Sequence, residues 1–220
     1  LDGQMTTGQA PKFDGTLSLR QSPPAAERAE QIRGDLLLES KVMASTDRVV
    51  LDGYTLLPDE NRAGVRLTGA ASIQLGARNS FDAVVSGGVF NLPPRDADED
   101  ATQMPYELVR LLGELPAPPI PPIPGEIGLD LAEIGLRGAA LRNVRIDART
   151  DGELWTLTHA EAELPGNSKV TLSGELNNDD GALGFNGKLG IVTARLDALS
   201  QLWRRASENS PLFNVPAQLS

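Results

Sequence analysis

A single histidine, His159, stands in a chain of 220 residues that contains no cysteine. A thiolate nucleophile, a disulfide framework and a zinc knuckle are therefore excluded. A triad or a metal site could in principle be built around His159, but no cluster of carboxylates stands at ligand spacing beside it. Glu161 and Glu163 follow at alternate positions, which places all three on one wet strand face. The densest acidic group is Asp96-Ala-Asp-Glu-Asp100 with Glu107. It puts carboxylates at positions 1, 3, 5 and 12 of a calcium-loop template. Position 6, where the sharp turn wants glycine, is Ala101, and Pro105 interrupts the stretch. A solvated acidic loop is expected there. The sequence thus assigns no catalytic residue, no metal and no cofactor, and the chain reads as non-enzymatic.

The charge balance narrows the partners. Twenty basic against 30 acidic residues give a formal net charge of -10. Nucleic acid, which demands a basic face, does not fit, nor does a polybasic grip on anionic lipid heads. No apolar run approaches the ~20 residues of a membrane helix. The chain starts at Leu1, and Phe213-Asn-Val-Pro-Ala-Gln-Leu219 resembles a new strand just before Ser220. A piece of a longer protein is the expectation.

Aromatics make up 4% of the chain, with 22 glycines and 16 prolines. That composition suits many short strands joined by turns. Val65, Leu67, Ala71, Ile73 and Leu75 alternate with Arg66, Thr68, Ala70, Ser72 and Gln74, with Gly69 on the apolar side. Val170, Leu172, Gly174 and Leu176 alternate in the same way with Thr171, Ser173 and Glu175. Such period-two runs predict half-buried strands. Phe13–Leu19 and Leu183–Ile191 supply two more apolar faces, and strands are predicted near 35–45, 48–57, 80–91, 127–137, 140–149 and 153–164. The face of the last is mixed: Trp155 and Leu157 oppose Leu154 and Leu164, and a bulge that swaps the face is an open question. Asp52-Gly53, Asp151-Gly152 and Asp180-Gly181 read as hairpin turns between antiparallel neighbours.

Helix candidates are Ala25–Arg33, Tyr106–Leu115 and Leu196–Arg205, the last carrying Leu196, Leu199, Leu202 and Trp203 as a stripe that caps its own sheet. The proline-rich segment 116–125 predicts a stiff extended connector.

Self-similarity organises these elements. Phe13-Asp-Gly-Thr-Leu, Phe81-Asp-Ala-Val-Val and Phe185-Asn-Gly-Lys-Leu share one pattern, and Val65-Arg-Leu-Thr-Gly69 aligns with Val170-Thr-Leu-Ser-Gly174. Before those strands come Leu57-Pro58 and Leu164-Pro165. The expected organisation is the tail of one repeat at 1–34, a β repeat with helix at 35–115, the connector at 116–125, a second β repeat with helix at 126–210, and the start of a further repeat at 211–220. The fold class is mostly β: antiparallel meander repeats forming a curled sheet or open groove, with short capping helices.

The second of these repeats carries a more specific resemblance. Leu129-Asp-Leu-Ala-Glu-Ile-Gly-Leu-Arg-Gly138, Leu141-Arg-Asn-Val-Arg-Ile146, Ala162-Glu-Leu-Pro-Gly166, Val170–Gly174, Phe185–Leu189 and Leu196-Asp-Ala-Leu-Ser-Gln-Leu-Trp203 follow in an order that resembles the repeating core of the AsmA-like family of bacterial envelope proteins. The earlier repeat departs from it, with Asp59 after Pro58 and an acidic insert before its helix. The resemblance implies a periplasmic segment of a parent anchored in the inner membrane. It implies sheets that curl into a groove with an apolar lining, and a part in phospholipid transport to, or assembly of, the outer membrane. No catalytic motif comes with it. The partners implied are phospholipid acyl chains, with envelope proteins as a second class and membrane contact only through other parts of the parent. The candidate groove residues are Val65, Leu67, Ile73, Leu75, Val170, Leu172, Leu176, Phe185 and Leu189. The alternative is a β-repeat scaffold that binds no lipid and docks envelope partners: the same aliphatic residues would then fill an ordinary core.

Overall fold

A computed structural model of the chain describes residues 1–8, 10–22, 35–58, 65–91, 118–135, 140–179 and 182–195. All regular structure among them is strand. Eleven strands lie in one sheet in chain order: β1 (Asp2–Thr6), β2 (Lys12–Gln21), β3 (Leu36–Ala44), β4 (Arg48–Leu57), β5 (Leu67–Gln74), β6 (Ser80–Asn91), β7 (Gly125–Gly135), β8 (Ala140–Thr150), β9 (Trp155–Leu164), β10 (Ser168–Asp179) and β11 (Ala182–Val192). β1 and β11 do not pair with each other, so the sheet is open and not a barrel. The three predicted helices lie outside the described residues, as do Asp180-Gly181 and the acidic run 96–100.

One pairing departs from the antiparallel expectation. β6 and β7 run parallel, in the register Phe81↔Gly125 to Asn91↔Gly135. A parallel pair cannot be closed by a hairpin, because the chain must return to the starting end of the strand. Residues 92–124 make that return, and they include the proline-rich segment. Its last part is fastened to the sheet: the Phe81 N–H donates to the Pro124 carbonyl at 3.0 Å, and the Trp155 indole N–H donates to the Pro119 carbonyl at 3.1 Å.

Elsewhere local chemistry sets the turns. At Asp151-Gly152 the Asp151 carboxylate accepts the N–H groups of Glu153 and Leu154 at 2.9 and 3.1 Å, and Gly152 takes a φ of 99°. This joins β8 to β9 as expected. Asp52-Gly53 does not make a hairpin: it lies inside β4. The β4–β5 register passes from Leu51↔Ala71 to Tyr54↔Gly69, so these two residues form a bulge, with Gly53 at φ 74°. Positive φ is needed in both settings, and the dipeptide alone does not distinguish them.

The mixed face of β9 resolves as a bulge. Against β8 the register passes from Asp147↔His159 to Ala148↔Leu157, and against β10 from Leu172↔Ala160 to Gly174↔Leu157. The extra residue reverses the alternation, so Trp155 and Leu157 share a face with Ala160, Ala162 and Leu164, all buried. The Thr158 hydroxyl donates to the Asp147 carbonyl at 2.7 Å, within the disturbed ladder. A second switch crosses β6, β7 and β8. The ladders skip Gly88, Ala132 and Asn143, and Asn143 adopts φ 49°. Leu131 and Ile134, of opposite parity, consequently pack into the same cluster.

Candidate functional site

Following the register from strand to strand assembles one face. Phe13, Leu17 and Leu19 of β2 stand opposite Ala44, Ser40 and Leu38 of β3. Val42 faces Leu51, and Leu38 faces Leu56. Leu67, Gly69, Ala71 and Ile73 of β5 stand opposite Leu56, Tyr54, Leu51 and Val49 of β4, and opposite Gly87, Val85, Ala83 and Phe81 of β6. The face continues through Ile127, Leu129 and Leu131, then Ala148, Ile146 and Val144. It passes over the β9 residues named above to Val170, Leu172, Gly174 and Leu176, and ends on Ile191, Leu189, Gly187 and Phe185 of β11. No charged residue occupies this face in any of the eleven strands. Two of its polar residues, Ser40 and Thr150, are buried with their hydroxyl oxygens engaged, the first donating to the Lys41 carbonyl and the second accepting the Gly152 N–H.

The opposite face is polar. Arg66 donates to the Thr55 hydroxyl, Arg142 pairs with Glu133 at 3.1 Å, and Arg145 pairs with Asp147 at 3.4 Å. His159 lies there, exposed, with Nε2 3.2 Å from a Glu161 carboxylate oxygen that also takes the Lys169 ammonium at 2.7 Å. The hydrogen bond from Lys169, with that of His159, holds the Glu161 carboxyl below the usual glutamate range. This is an ion-paired strand surface: among the described residues no group of three or more histidines, cysteines or acids could hold a metal ion.

The structure divides the candidate groove residues into two sets. Val65 is buried. Leu67 and Val170 pack against the cluster Leu131, Val144 and Ala162; Leu172 and Leu176 pack against Ala148, Trp155, Leu157 and Ala160. Ile73, Leu75, Phe185 and Leu189 are exposed, to 39%, 41%, 40% and 60%. The middle of the face, from β6 to β10, is packed, and its flanks present apolar surface. At the N-terminal flank, Met5 and Leu19 are likewise exposed.

The repeat motifs acquire a physical meaning here. A Cβ placed on Gly125 would clash with the Phe81 ring, and one on Gly15 or Gly187 would meet Phe13 or Phe185 Cζ at 2.6 and 2.7 Å. Each phenylalanine of the shared pattern thus covers a glycine, which restores apolar contact where the strand lacks a side chain. Phe81 leans over Gly125 far enough to meet Trp155 edge to face, with ring centroids 6.3 Å apart. The same geometry shows that Gly69 and Gly174 leave no room for a side chain beside the backbone. A Cβ on Gly69 would collide with the Val84 carbonyl and lie 2.7 Å from the Tyr54 hydroxyl. The buried Tyr54 ring covers that glycine, its hydroxyl donating to Val84 O at 2.8 Å. Burial pushes the Tyr54 phenol up, which keeps it a donor. A Cβ on Gly174 would strike the β11 backbone at Asn186 and Gly187. Both glycines mark close approach and not vacant space. The sequence signal was present in Phe13-x-Gly15 and Phe185-x-Gly187, where the ring covers the glycine two residues on in its own strand, whereas the partners Phe81–Gly125 and Tyr54–Gly69 lie on different strands.

No protein-family model, no curated protein and no solved structure matches the chain. Among the described residues no helix is long and apolar enough to cross a membrane.

Proposed function

We propose that this chain binds and does not catalyse, and that its apolar sheet face is a contact surface for phospholipid acyl chains in a periplasmic segment of an AsmA-like parent protein. The observation that carries the reading is the face itself: among the described residues it is eleven strands wide, without a charged residue, and its first and last strands do not pair with each other. A face of this kind offers an acyl chain only dispersion and removal from water. Each buried methylene contributes roughly 0.8 kcal/mol, so a 16-carbon chain gains about 10 kcal/mol gross. With no hydrogen-bonding group directed to a headgroup, the face selects chains over heads and lets them slide. The net charge of -10 acts in the same direction, since it disfavours anionic heads at the rim. The exposed flank residues Leu19, Ile73, Phe185 and Leu189 are the proposed contact points. Transport to the outer membrane and anchoring of the parent in the inner membrane rest on the repeat resemblance.

The two packed clusters favour a second reading for the middle of the sheet, a self-filled core that holds the flanks in place while the repeat docks envelope proteins. Lipid mass spectrometry of the protein purified from cells separates the two. The lipid reading expects co-purifying phospholipid, reduced several-fold when Ile73 and Leu189 are replaced by Asp in variants that still fold. Absence of lipid from the folded protein, with an intact envelope barrier in cells carrying those variants, would leave the scaffold reading standing alone.

A further inference from the structure

In an Asp-Gly pair the carboxyl can turn on its own backbone, because the following glycine has no side chain to obstruct the approach. Four such pairs stand among the described residues: Asp2-Gly3, Asp14-Gly15, Asp52-Gly53 and Asp151-Gly152. The fold restrains three of them. Gly15 is held from both sides, opposite Gly3 on β1 and Val42 on β3, and a Cβ on it would strike the Asp2 carbonyl. Asp2-Gly3 is held by the β2 register. At Asp151-Gly152 both groups that would react are occupied: the carboxylate accepts the Glu153 and Leu154 N–H groups, and the Gly152 N–H donates to the Thr150 hydroxyl at 3.1 Å. The bonds from Glu153 and Leu154 also hold the Asp151 carboxyl below the usual aspartate range, so the neutral acid, the reactive form, is scarce.

Asp52-Gly53 escapes these restraints. Gly53 has no partner in the register of β3 or of β5, and Asp52 has one only in β3, Lys41. Both residues are exposed, and no hydrogen bond or ion pair joins the Asp52 side chain to another described residue. A Cβ on Gly53 would find nothing within 4 Å, so the space beside the bulge is open. A bulge is the place where a strand's main chain leaves its ladder. We infer that Asp52-Gly53 is a site of spontaneous isoaspartate formation, set apart from the other three pairs by the fold. The Gly53 nitrogen attacks Cγ of the protonated Asp52 carboxyl. An N–Cγ bond forms, the nitrogen gives up its proton, and the carboxyl hydroxyl leaves as water, closing a succinimide. Water then adds to one of the two imide carbonyls. Breaking the new N–Cγ bond restores aspartate; breaking the original peptide bond leaves the main chain running through Cβ and Cγ, which is isoaspartate. Water is the only co-reactant, and the net composition is unchanged. The product carries one extra main-chain carbon just before Tyr54, whose ring covers Gly69 and whose hydroxyl donates to Val84 O at 2.8 Å. Isomerisation therefore loosens the apolar face at β4, whatever that face binds.

The test ages the full folded chain at neutral pH and body temperature for several weeks, in water enriched in heavy oxygen. Each passage through the imide leaves one heavy oxygen in the residue. Peptide mapping with electron-transfer fragmentation then counts label and isoaspartate at each aspartate. Asp52 should exceed Asp14 and Asp151 by about tenfold or more, because those two react only in the fraction of molecules whose strand or turn has opened, and Asp2, held by β2 alone, should fall between. In urea that unfolds the chain the four sites should converge, since only the fold separates them. No label at Asp52, label at Asp14 or Asp151 equal to that at Asp52 in the folded chain, or a ranking that urea leaves unchanged would overturn the inference. The isoaspartyl form, separated by ion exchange, should melt below the parent; a coincident melt would overturn the link to Tyr54.

Discussion

Gly69→Ala is the sharpest single test of how the apolar face is built. Gly69 sits on that face between Leu67 and Ala71, opposite Tyr54 on β4 and Val85 on β6. The new methyl would meet the Val84 carbonyl, which belongs to a paired backbone and cannot swing away, and the Tyr54 hydroxyl at 2.7 Å. Displacing the tyrosine breaks its bond to Val84 O. Overpacking costs about 1–3 kcal/mol and the lost hydrogen bond about 1 kcal/mol, so the variant should be less stable by about 2–4 kcal/mol. At roughly 2–4 °C per kcal/mol for a chain of this size, the melting temperature should fall by about 5–15 °C. Gly128→Ala is the internal control. It points to the polar face, where a Cβ would find only ordinary contacts at 3.6 and 3.8 Å, and should be neutral or stabilising by about 0.5 kcal/mol. Denaturant unfolding followed by tryptophan fluorescence measures both. A cycle with Tyr54→Phe adds a second readout: the double variant should lose less than the sum of the singles, because the hydroxyl is part of the obstruction. If Gly69→Ala melts within 1 °C of the parent, space does exist beside Gly69 and the covered-glycine account is wrong.

Leu172→Asp and Leu67→Asp place an unpaired charge in packed clusters and should each destabilise by several kcal/mol, whereas Leu189→Asp on the exposed flank should cost under about 1 kcal/mol; equal losses in melts of all three would refute the division of the face. Trp155→Phe keeps most of the ring but drops the bond to Pro119 O, and should cost about 1 kcal/mol and raise hydrogen exchange at the Ile120 and Ile123 amides, the two that residues 118–124 possess; unchanged exchange at both would show that the indole does not fasten the connector. The Glu161 carboxyl is held low in the folded chain, so its contribution is fully present above the ordinary glutamate range and is lost as pH falls through the folded value. Lys169→Ala should move the carbon-detected NMR titration of Glu161 upward; an unmoved midpoint would mean that the 2.7 Å pair is not formed in solution.

Most of the strands were legible from alternation. The predicted spans 48–57 and 80–91 coincide with β4 and β6, and the facing of Leu67 to Ile73 and of Val170 to Leu176 follows from period two, because successive side chains in an extended chain must point to opposite sides. What tertiary structure alone decided was the register between strands and the departures from the antiparallel meander. β1, with its pattern Asp-Gly-Gln-Met-Thr, carries no apolar alternation and becomes a strand only because β2 offers it an edge. The parity switch in β9 depends on an extra residue being tolerated by β8 and β10 together, and the Asp52-Gly53 bulge depends on the span of β5. The parallel β6–β7 joint follows from a return of the chain through 33 residues that no local turn signal encodes. Whether a glycine leaves room or marks close approach is likewise a tertiary fact: Gly69 lies under a tyrosine 15 residues earlier and against a carbonyl 15 residues later, and a glycine specifies only that its own side chain is missing.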